Sequence, residues 1–470
     1  MSTASVIQPQ ESAELFAAHA AGLRFEHLPP PVVERTKMCI LDTIAVMIAG
    51  SGTADVAALH RIVSRWGGSP ESTAISYPER LPAYSAVLLN GAMGHQFDFD
   101  DTHDTAVCHP TNAALSCALA AAESVGGVPG RELITAVACG VDLTARLAGA
   151  IDGTLWDYPW VRAPVVGIFG ATLAAGKVLG LDADQLLQAL GLALSQAAGT
   201  LQCLRTPDSS VRGMRDGLIY KDAMLAALMA AEGLRGDAGT FDGEYGLYNA
   251  YFRGEYDPSA LVDRLGERYE GMGVSLKPWP SCRHTHGTLT ALFDLIDRED
   301  WDLDAVAEVV IHVGDGNRRL CEPVGSEFKG RMTLLCNLPF IVAVALAHGS
   351  VPLAAFSAEG LRDPRTQTAL ELIHTRYDPA QNRYGTIEPG HVEIRLRDGT
   401  ALEQTADRAL GHPDRPMTRE QLAGKLRDIA GSGRRPVAER DVEGLINAAF
   451  AAEDLDDVSV LPAFASGVTP

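Results

Sequence analysis

The first 250 residues show apolar positions that recur with the period of an α-helix. Alanine-rich apolar stretches are separated by Gly, Pro and Asp, which are typical of helix boundaries. The predicted helices cover residues 32–49, 81–94, 111–126, 131–149, 164–180, 184–199 and 217–234. Several of them, such as GIFGATLAAGKVLG, are small and apolar on most faces. We expect such helices to lie in the interior or at a subunit contact, within a large helical body.

The pattern changes after about residue 272. Residues 307–315 alternate between apolar and polar positions like a strand, and residues 391–407 predict two strands joined by a turn at Asp398 and Gly399. Further helices are predicted at residues 332–349, 365–376, 418–430 and 439–452. The mixture of strands and helices between residues 273 and 410 predicts a smaller α+β unit.

The length of the chain, 470 residues, exceeds the size at which a single hydrophobic core stops growing. We therefore expect two domains and a mainly α fold. Residues 1–272 and 411–470 are predicted to form one large all-helical domain, and the α+β domain of residues 273–410 is inserted between them.

Composition excludes several classes of partner. The formal net charge of −21 and the pI near 5.0 argue against nucleic acids and anionic membranes, which bind basic patches. Eight cysteines without a CxxC pair indicate reduced thiols and no zinc or iron–sulfur site. The N-terminus lacks the features of a signal peptide, and no apolar run reaches the length of a bilayer span. We expect a cytoplasmic protein without a membrane partner.

Two short segments carry most of the candidate chemistry. The first, GHQFDFDDTHDTAVCHP at residues 94–110, crowds acids and imidazoles together: Asp98, Asp100, Asp101, Asp104, His95, His103 and His109. The second, KPWPSCRHTH at residues 277–286, offers Lys277, Arg283, His284 and His286 beside two prolines that stiffen the backbone. If folding brings the segments together, they form a cleft with proton donors, proton acceptors and cations for an anionic substrate.

Other interpretations of the first segment are a solvated acidic loop, a calcium loop or a transition-metal site. An apolar helix precedes the acids, which favours a functional loop over a solvated one. The spacing lacks the acidic ligands and the terminal Glu of an EF-hand loop, and no two histidines match the HExxH pattern. We therefore predict no metal. An imidazole has an unperturbed pKa of about 6.5 and suits general acid–base work at neutral pH.

The second segment has its own alternatives. It is either a site or an inter-domain linker whose charges face water, and its density of Trp, Cys and His favours the site. Lys277 can neutralise a substrate carboxylate or move a proton, whereas nothing else supports a Schiff base, and Cys282 is a weak candidate nucleophile. A further basic stretch at residues 205–217 is either a carboxylate clamp or solvated surface.

Four motifs resemble the MmgE/PrpD family. They are D-F-D-D-T followed by H-P, G-I-F-G-A-T-L-A-A-G-K-V-L-G-L, A-A-L-M-A-A-E-G and K-P-W-P-S-C-R-H-T-H. The family includes 2-methylcitrate dehydratase, cis-aconitate decarboxylase and iminodisuccinate epimerase. The resemblance covers most of the chain. It implies that the α+β domain is a lid, that the protein is a homodimer, and that it acts without a cofactor on a small anionic carboxylate between the domains.

The resemblance also implies roles for individual residues. Asp98, Thr102, His109 and Lys277 match positions that line the active site of the family and are predicted to be catalytic. The residues predicted to bind substrate are His103, Arg212, Arg283, His284 and His286. His109 is the first candidate for the general acid or base, with Asp98 as its orienting partner or the complementary base. Thr102 is expected to donate a hydrogen bond to substrate, and Lys277 with Arg212 to stabilise negative charge.

Three departures from the family pattern bear on the reaction. Decarboxylase-like members have a His where this chain has Val161, a Lys at the position of Arg212 and a Tyr at the position of Phe340. Arg212 can still bind a carboxylate, but a guanidinium is a poor proton shuttle. These replacements disfavour itaconate-forming decarboxylation.

The predicted function is that of a cofactor-independent lyase of a small di- or tricarboxylate, of the 2-methylcitrate dehydratase type. Such a reaction needs removal of a proton α to a carboxylate, stabilisation of the enolate-like charge and protonation of the departing hydroxyl. The alternatives are an epimerase or racemase, or a decarboxylase, of a related polycarboxylate. A non-catalytic carboxylate-binding homologue is a further alternative, since the His, Lys and Tyr equivalents are missing.

Overall fold

The computed structural model describes residues 11–298, 303–383 and 386–467. Helices dominate these ranges, which confirms the mainly α prediction. Within them, the strands form one four-stranded sheet and two short two-stranded ladders.

Helices make up most of the first 262 residues. They are α1 (Ser12–Gly22), α2 (Pro30–Ser51), α3 (Ala54–Val63), α4 (Ala83–Gly94), α5 (Pro110–Ser124), α6 (Gly130–Gly149), α7 (Arg162–Val178), α8 (Ala183–Leu194), α9 (Val211–Ala231), α10 (Leu247–Phe252) and α11 (Pro258–Val262). The short strands β1 (Ser72–Thr73) and β2 (Arg80–Leu81) pair with each other, and β3 (Thr102–His103) pairs with β4 (Val274–Ser275).

The remaining residues combine helices with the larger sheet. The helices are α12 (His286–Arg298), α13 (Asp315–Arg318), α14 (Arg331–Leu335), α15 (Leu338–His348), α16 (Ala358–Leu361), α17 (Pro364–Glu371), α18 (Arg419–Ile429), α19 (Glu439–Phe450) and α20 (Val460–Ser466). The strands are β5 (Val306–Val313), β6 (Ile373–Tyr377), β7 (Gly390–Leu396) and β8 (Ala401–Ala406).

Most predicted elements are present with shifted ends. The predicted helices of the first 250 residues match α2 and α4 to α9, although α9 begins at Val211 instead of residue 217. Helices α2 and α5 begin at Pro30 and Pro110, because proline suits the first position of a helix, where no N–H is needed. Strands β5, β7 and β8 confirm the strand predictions at residues 307–315 and 391–407.

Two helix predictions after residue 330 need correction. The predicted helix at 365–376 ends at Glu371, and the chain continues as β6, which pairs in parallel with β5. Pairing with a neighbouring strand overrides the local helical pattern there. The predicted helix at 332–349 is broken between α14 and α15. The side chain of Asn337 accepts a hydrogen bond from Phe340 N at 3.0 Å and so caps α15, and Pro339 lacks an N–H to continue the ladder.

The larger sheet has the strand order β6-β5-β7-β8. Strand β5 is parallel to β6 and antiparallel to β7, and β7 is antiparallel to β8. One face of the sheet is apolar: Ile311 in β5 and Val392 and Ile394 in β7 are buried. Helix α12 packs on β7 and β8. The opposite face carries polar side chains.

Two separate groups of buried apolar side chains hold the fold together. The larger group takes residues from 13–276 and from 417–465, so both ends of the chain contribute to it. The smaller group lies within residues 289–406 and includes the sheet. The domain boundaries at residues 272/273 and 410/411 stay predictions. In the described part of the chain no single helix is long and apolar enough to cross a membrane. One pair of helices, α2 and α3, is long and apolar enough when taken together, but their axes are bent by 88°.

Helices α4 and α9 approach each other closely through two glycines. A Cβ atom on Gly217 would overlap the carbonyl oxygen of Leu88 and lie 2.6 Å from the backbone nitrogen of Ala92. A Cβ atom on Gly91 would lie 3.0 Å from the Cα of Gly217. Because Arg212 lies in the first turn of α9 and α4 leads into the first candidate segment, this contact fixes the positions of Arg212 and of that segment relative to each other.

Candidate active site

The two candidate segments are joined by the short ladder between β3 and β4. Thr102 pairs with Ser275 and His103 with Val274. The carboxylate of Asp104 accepts hydrogen bonds from the Arg283 guanidinium at 3.0 and 3.1 Å and from the hydroxyl of Ser275 at 2.9 Å. The structure therefore brings residues 94–110 and 277–286 together, as their complementary chemistry suggested.

A buried ion pair lies at the centre of this junction. Lys277 is fully buried, and its Nζ donates to Oδ1 and to the carbonyl oxygen of Asp98, both at 2.6 Å. Burial works to raise the pKa of Asp98, but the charge of Lys277 and its other cationic neighbours hold that pKa well below its usual range. Both groups are therefore charged at neutral pH.

The backbone of Asp98 is strained. Its φ of 47° lies in the left-handed region, which residues other than glycine rarely adopt. Such strain persists only where the surroundings fix the conformation, and it is concentrated at functional sites. At Asp98 the two hydrogen bonds from Lys277 provide that fixation.

Arg212 approaches the same carboxylate from the first turn of α9. One of its terminal nitrogens lies 3.9 Å from Oδ2 of Asp98 and donates to the sulfur of Cys336 at 2.8 Å. Burial disfavours the charged guanidinium, but Cys336 and Asp98 raise the pKa of Arg212, so it stays cationic. Its side chain is 18% exposed, and among the described residues its Nε is buried without a hydrogen-bond partner.

Two thiols complete this side of the site. The sulfurs of Cys282 and Cys336 and a carboxylate oxygen of Asp98 lie within 4.8 Å of one another. The hydrogen bond between the thiols lowers the pKa of Cys282 and, together with burial, raises that of Cys336.

His109 is the residue immediately before α5 and contacts Asp101 and Thr102. Its Nδ1 lies 2.7 Å from the carbonyl oxygen of Asp101 and 3.3 Å from the hydroxyl of Thr102. A carbonyl only accepts hydrogen bonds, so Nδ1 carries the proton and Nε2 keeps a free lone pair. Burial lowers the pKa of His109 to about 4, and the imidazole is neutral at pH 7. Nε2 can therefore accept a proton.

His95 and Asp100 both lie next to His109. His95 Nδ1 lies 2.9 and 3.0 Å from the two carboxylate oxygens of Asp100, and the rings of His95 and His109 are 4.9 Å apart between centroids. Burial works to raise the pKa of Asp100, but the two histidines lower it. These three residues are close enough to hold a metal ion. However, the Nδ1 atoms of both rings face protein oxygens, as in hydrogen-bonded imidazoles, and the prediction of no metal stays a prediction.

Asp101 differs from its neighbours because it is held as a neutral acid. It is fully buried, and one of its oxygens accepts a hydrogen bond from the hydroxyl of Thr111 at 2.5 Å. Burial raises the pKa of Asp101 to about 8. Of the four acids in the segment, Asp98 and Asp100 are thus ionised, Asp104 pairs with Arg283, and Asp101 keeps its proton.

Lys425 ties the site to the C-terminal part of the chain. Its Nζ donates to Asp42 at 2.6 Å and to the carbonyl oxygens of Lys277 at 3.0 Å and Phe99 at 3.2 Å. One ammonium on α18 therefore fixes the backbone of both candidate segments.

The other residues predicted to bind substrate occupy different surroundings. The guanidinium of Arg283 donates hydrogen bonds to the carboxylate of Asp104 and to the carbonyl oxygen of Leu410. His103 is buried, and its Nδ1 accepts a hydrogen bond from the backbone of Ala106. His286 is fully buried beside the hydroxyl of Ser281 at 3.2 Å. These contacts hold the junction together, and binding of substrate by these three residues stays a prediction.

His284 is the remaining residue of that set. It is half-buried and lies near enough to Cys282 to lower the pKa of that thiol. Among the described residues its Nδ1 is buried without a hydrogen-bond partner. An unpaired buried nitrogen is costly, and a ligand in the site would relieve that cost.

Two of the three positions that depart from the family pattern, Val161 and Phe340, contribute no titratable group. Val161 is a buried residue immediately before α7. Phe340 is fully buried in the smaller apolar group, edge-on to the ring of Phe356 at 6.3 Å between centroids. The protonatable side chains near Asp98 therefore come from other positions.

Sequence reasoning missed several residues of this site. Cys336 and Asp42 lie far from both segments in sequence, and nothing in their local pattern marks them. The sequence offers one indication for Lys425: the chain has only six lysines and most of its cations are arginines, so each lysine is a candidate for a specific role. The sequence places His95 and Asp100 within the first segment, but its spacing assigns them no role.

Comparison with known proteins identifies two family models that match successive parts of the chain. The MmgE/PrpD N-terminal domain matches residues 14–259, and the MmgE/PrpD C-terminal domain matches residues 279–448. The cis-aconitate decarboxylases of Mus musculus and Homo sapiens are each 27% identical to the chain, covering 97% of it and 93% and 95% of their own lengths. The cis-aconitate decarboxylase of Aspergillus terreus (strain NIH 2624 / FGSC A1156) is 25% identical and covers 91% of both chains.

Proposed function

This chain belongs to the MmgE/PrpD family, and on that premise we propose that it is a cofactor-independent lyase of a small di- or tricarboxylate. The observation that carries the proposal is the buried pair of Asp98 and Lys277, with the cation of Arg212 and the neutral imidazole of His109 nearby. This arrangement offers cations for carboxylates next to an imidazole with a free lone pair. Those are the groups that proton abstraction α to a carboxylate requires.

The cations bind substrate and stabilise the charge that develops on it. Arg212, whose Nε has no hydrogen-bond partner among the described residues, pairs with one carboxylate in the planar geometry that guanidinium groups favour. Lys277 faces the carboxylate next to the reacting carbon, where negative charge grows as the proton leaves. Because both groups are fixed before substrate arrives, little reorganisation is needed in the transition state.

Proton transfer is assigned to Nε2 of His109. It removes the α-proton, and the electron pair of the broken C–H bond forms the C=C bond while the C–O bond breaks. The imidazolium then donates the proton to the departing hydroxide, and the net change is loss of one water. The negative charge of a bound substrate raises the pKa of His109, which allows the ring to accept the α-proton. Because burial keeps the pKa of His109 low, its imidazolium then gives up that proton readily. We assign the Thr102 hydroxyl, 3.3 Å from Nδ1 of His109, a hydrogen bond to substrate.

Dehydration of a 2-methylcitrate-type hydroxy acid is the first reaction proposed. It is supported by the apolar side chains at Val161 and Phe340, where decarboxylase-like members are expected to carry protonatable groups. Decarboxylation of cis-aconitate is the second candidate, because the relatives that match the chain over nearly its whole length bear that activity in their names.

The α+β unit of residues 273–410 is proposed as a lid over the site. Arg331 in α14 donates to the carbonyl oxygen of Gln96 at 3.2 Å, and its guanidinium lies 4.7 Å from the centre of the Phe97 ring. Cys336 from the same unit contacts Asp98. A homodimer and a cytoplasmic location are proposed on the resemblance and on the sequence respectively. Light scattering on the purified protein would test the homodimer.

The proposal is tested by proton NMR of the purified, EDTA-treated protein in deuterated buffer. The candidate substrates are 2-methylcitrate, citrate, cis-aconitate and iminodisuccinate, and both product formation and loss of the α-proton signal are followed. Formation of an unsaturated tricarboxylate from 2-methylcitrate supports dehydration, whereas release of CO₂ from cis-aconitate supports the second candidate. Ligand-induced stabilisation without exchange or turnover identifies a binding protein and overturns the proposal.

A further inference from the structure

We propose that His312, His391 and Asp378 form a binding site for a borderline divalent cation such as Zn²⁺, separate from the candidate active site. The three residues come from adjacent strands of the four-stranded sheet. His312 is in β5, His391 is in β7, and Asp378 follows the last residue of β6. They lie on the face of the sheet opposite to the buried Ile311 and Val392.

The strand register explains why the two histidines meet. Ile311 pairs with Val392 across the antiparallel strands, so the next residue of β5 and the preceding residue of β7 are neighbours. Their rings stack with centroids 3.9 Å apart and an interplanar angle of 16°. On the other side of β5, His312 pairs with Arg376, so Asp378, two residues further along, lies on the same face and diagonal to His312.

The distances suit a ligand set that is nearly assembled. His312 Nδ1 lies 3.8 Å from Oδ2 of Asp378, and one ligand atom from each of the three residues lies within 4.8 Å of the others. Ligands about 2 Å from a tetrahedral zinc ion are themselves roughly 3.3 Å apart. A tilt of the stacked rings by small χ2 changes closes the remaining gap, and solvent fills the fourth position.

Two further carboxylates hold the histidines in the state that binds a metal. Glu393 accepts from Nε2 of His312 at 2.6 Å, and Glu403 lies 2.8 Å from Nε2 of His391. A carboxylate keeps the proton on the nitrogen that faces it, so each Nδ1 retains its lone pair. This is the carboxylate–histidine arrangement that surrounds zinc in proteins, where the outer carboxylate fixes the tautomer and increases ligand basicity.

Asp378 is also oriented in advance. Its two oxygens accept hydrogen bonds from the backbone of Ala380 at 2.9 Å and from the side chain of Gln381 at 3.1 Å. Two nitrogen ligands and one carboxylate suit Zn²⁺ and other late first-row divalent ions better than Mg²⁺ or Ca²⁺, which prefer oxygen-only sets. The cluster also has the negative charge needed to bind a cation. Three carboxylates face the two imidazoles, and only one of these carboxylates, that of Glu393, is paired with an arginine, Arg376, among the described residues.

The test is calorimetric titration of Zn²⁺ into the untagged, metal-stripped full chain and its variants. His391→Ala and Asp378→Asn are expected to lose one equivalent of bound zinc. The matched control is His374→Ala, because His374 lies on β6 of the same sheet, is largely exposed and is not part of the cluster. It is expected to bind zinc as the parent does. Glu403→Gln is expected to bind about ten- to hundredfold more weakly.

Comparison of the variants separates this site from any binding by His95, Asp100 and His109. Loss of one equivalent in His391→Ala but not in His374→Ala, with thermal melts showing both variants folded, supports the proposal. Equal stoichiometry and affinity in His391→Ala and the parent would overturn it, as would the absence of saturable binding in the parent. A second readout is the visible absorption of bound Co²⁺, which is intense in four-coordinate sites and should vanish in the same variants. Neither readout depends on enzymatic turnover.

Discussion

The pair of Asp98 and Lys277 is the feature on which the proposed chemistry depends most. We expect Lys277→Met to lower kcat/KM by at least about 100-fold, as loss of a single charge-stabilising donor does in other enzymes. It should also lower the free energy of unfolding by about 3–5 kcal/mol, because the buried carboxylate of Asp98 loses its partner. Kinetics with the substrate identified by NMR and urea unfolding measure the two effects.

The double variant Lys277→Met/Asp98→Asn separates these contributions. Removing both charges should recover most of the lost stability, since no buried ion is left unpaired. Activity should stay low, because neither cation nor carboxylate is restored. Recovery of turnover together with stability would show that Lys277 acts only as a structural partner of Asp98.

His109 supports a prediction about the pH dependence of activity. Its pKa is lowered to about 4 by burial, and the proposed base must be unprotonated in the free enzyme. kcat/KM should therefore stay constant as the pH falls from 7 to about 5 and decline only near pH 4. An exposed histidine would give a decline near pH 6.5. His109→Gln should abolish turnover at every pH, and residual activity with an unchanged profile would assign the base to another group.

Asp101 supports a separate prediction about stability. Its pKa is about 8 in the folded protein and near 3.9 in an unfolded chain, so the folded state binds more protons between these values. Its contribution to stability is complete below about pH 3.9 and is lost as the pH rises through 8. Urea unfolding at pH 6 and pH 9 should show a larger loss for the parent than for Asp101→Asn. Equal losses would mean that Asp101 is already ionised at pH 6.

At the scale of elements, the contact between α4 and α9 sets the distance between Arg212 and Asp98. Gly217→Ala places a methyl group against the backbone of α4, and such overpacking costs about 1–3 kcal/mol. Because α9 must move away, we expect KM for the anionic substrate to rise as well. Thermal unfolding and steady-state kinetics would measure both effects.

The control for this variant is Gly424→Ala in α18. A Cβ atom there has no neighbour within 4 Å, and alanine favours a helix over glycine by about 0.5–1 kcal/mol. This variant should gain stability and keep its KM. If Gly217→Ala behaved in the same way, close packing of the two helices would not position Arg212.

The long helices could be predicted from sequence because their pattern is local. Strongly apolar stretches identified α2, α4 and α5 to α9, and the turn at Asp398 and Gly399 identified β7 and β8. Strand β6 was mistaken for the end of a helix because its residues, IHTRY, are mostly exposed and owe their conformation to pairing with β5. The two-residue strands β3 and β4 are too short to leave a pattern, yet they join the two segments of the site.

The candidate site was only partly predictable for the same reason. Residues close together in sequence, such as Asp98 and His109, were found because their density is unusual. Partners that arrive from distant elements, such as Cys336 and Lys425, have no local signature. Spacing also could not show that Arg283 would be saturated by Asp104, since that contact depends on the register of β3 with β4.

On the scale of the whole molecule, a strongly acidic protein is proposed to bind an anion. The net charge of −21 acts over long distances, but salt screens exposed charges beyond about 8 Å at physiological ionic strength. Inside the site the nearest charges dominate, and there Lys277 and Arg212 face Asp98 with little solvent between them. The local arrangement, rather than the overall charge, therefore decides which ligand the site accepts.

The site also depends on both ends of the chain. Lys425 from α18 holds Asp42 in α2 and the backbone of both candidate segments. Lys37 makes a comparable buried connection between α2 and the C-terminal residues Phe450 and Glu453, away from the site. The two lysines therefore allow a matched comparison, because Lys425 contacts both segments of the candidate site and Lys37 contacts neither.

We expect Lys425→Met and Lys37→Met both to destabilise the fold, because each leaves a buried or half-buried carboxylate without its partner. Only Lys425→Met should also lower kcat, by about tenfold or more, since the backbone of Lys277 and of Phe99, next to Asp98, is no longer fixed and small displacements of positioned groups are costly. Unfolding and kinetics measured on both variants at a temperature where each is fully folded separate the two effects. Equal kcat values in the two variants would show that the C-terminal helices stabilise the body without positioning the site.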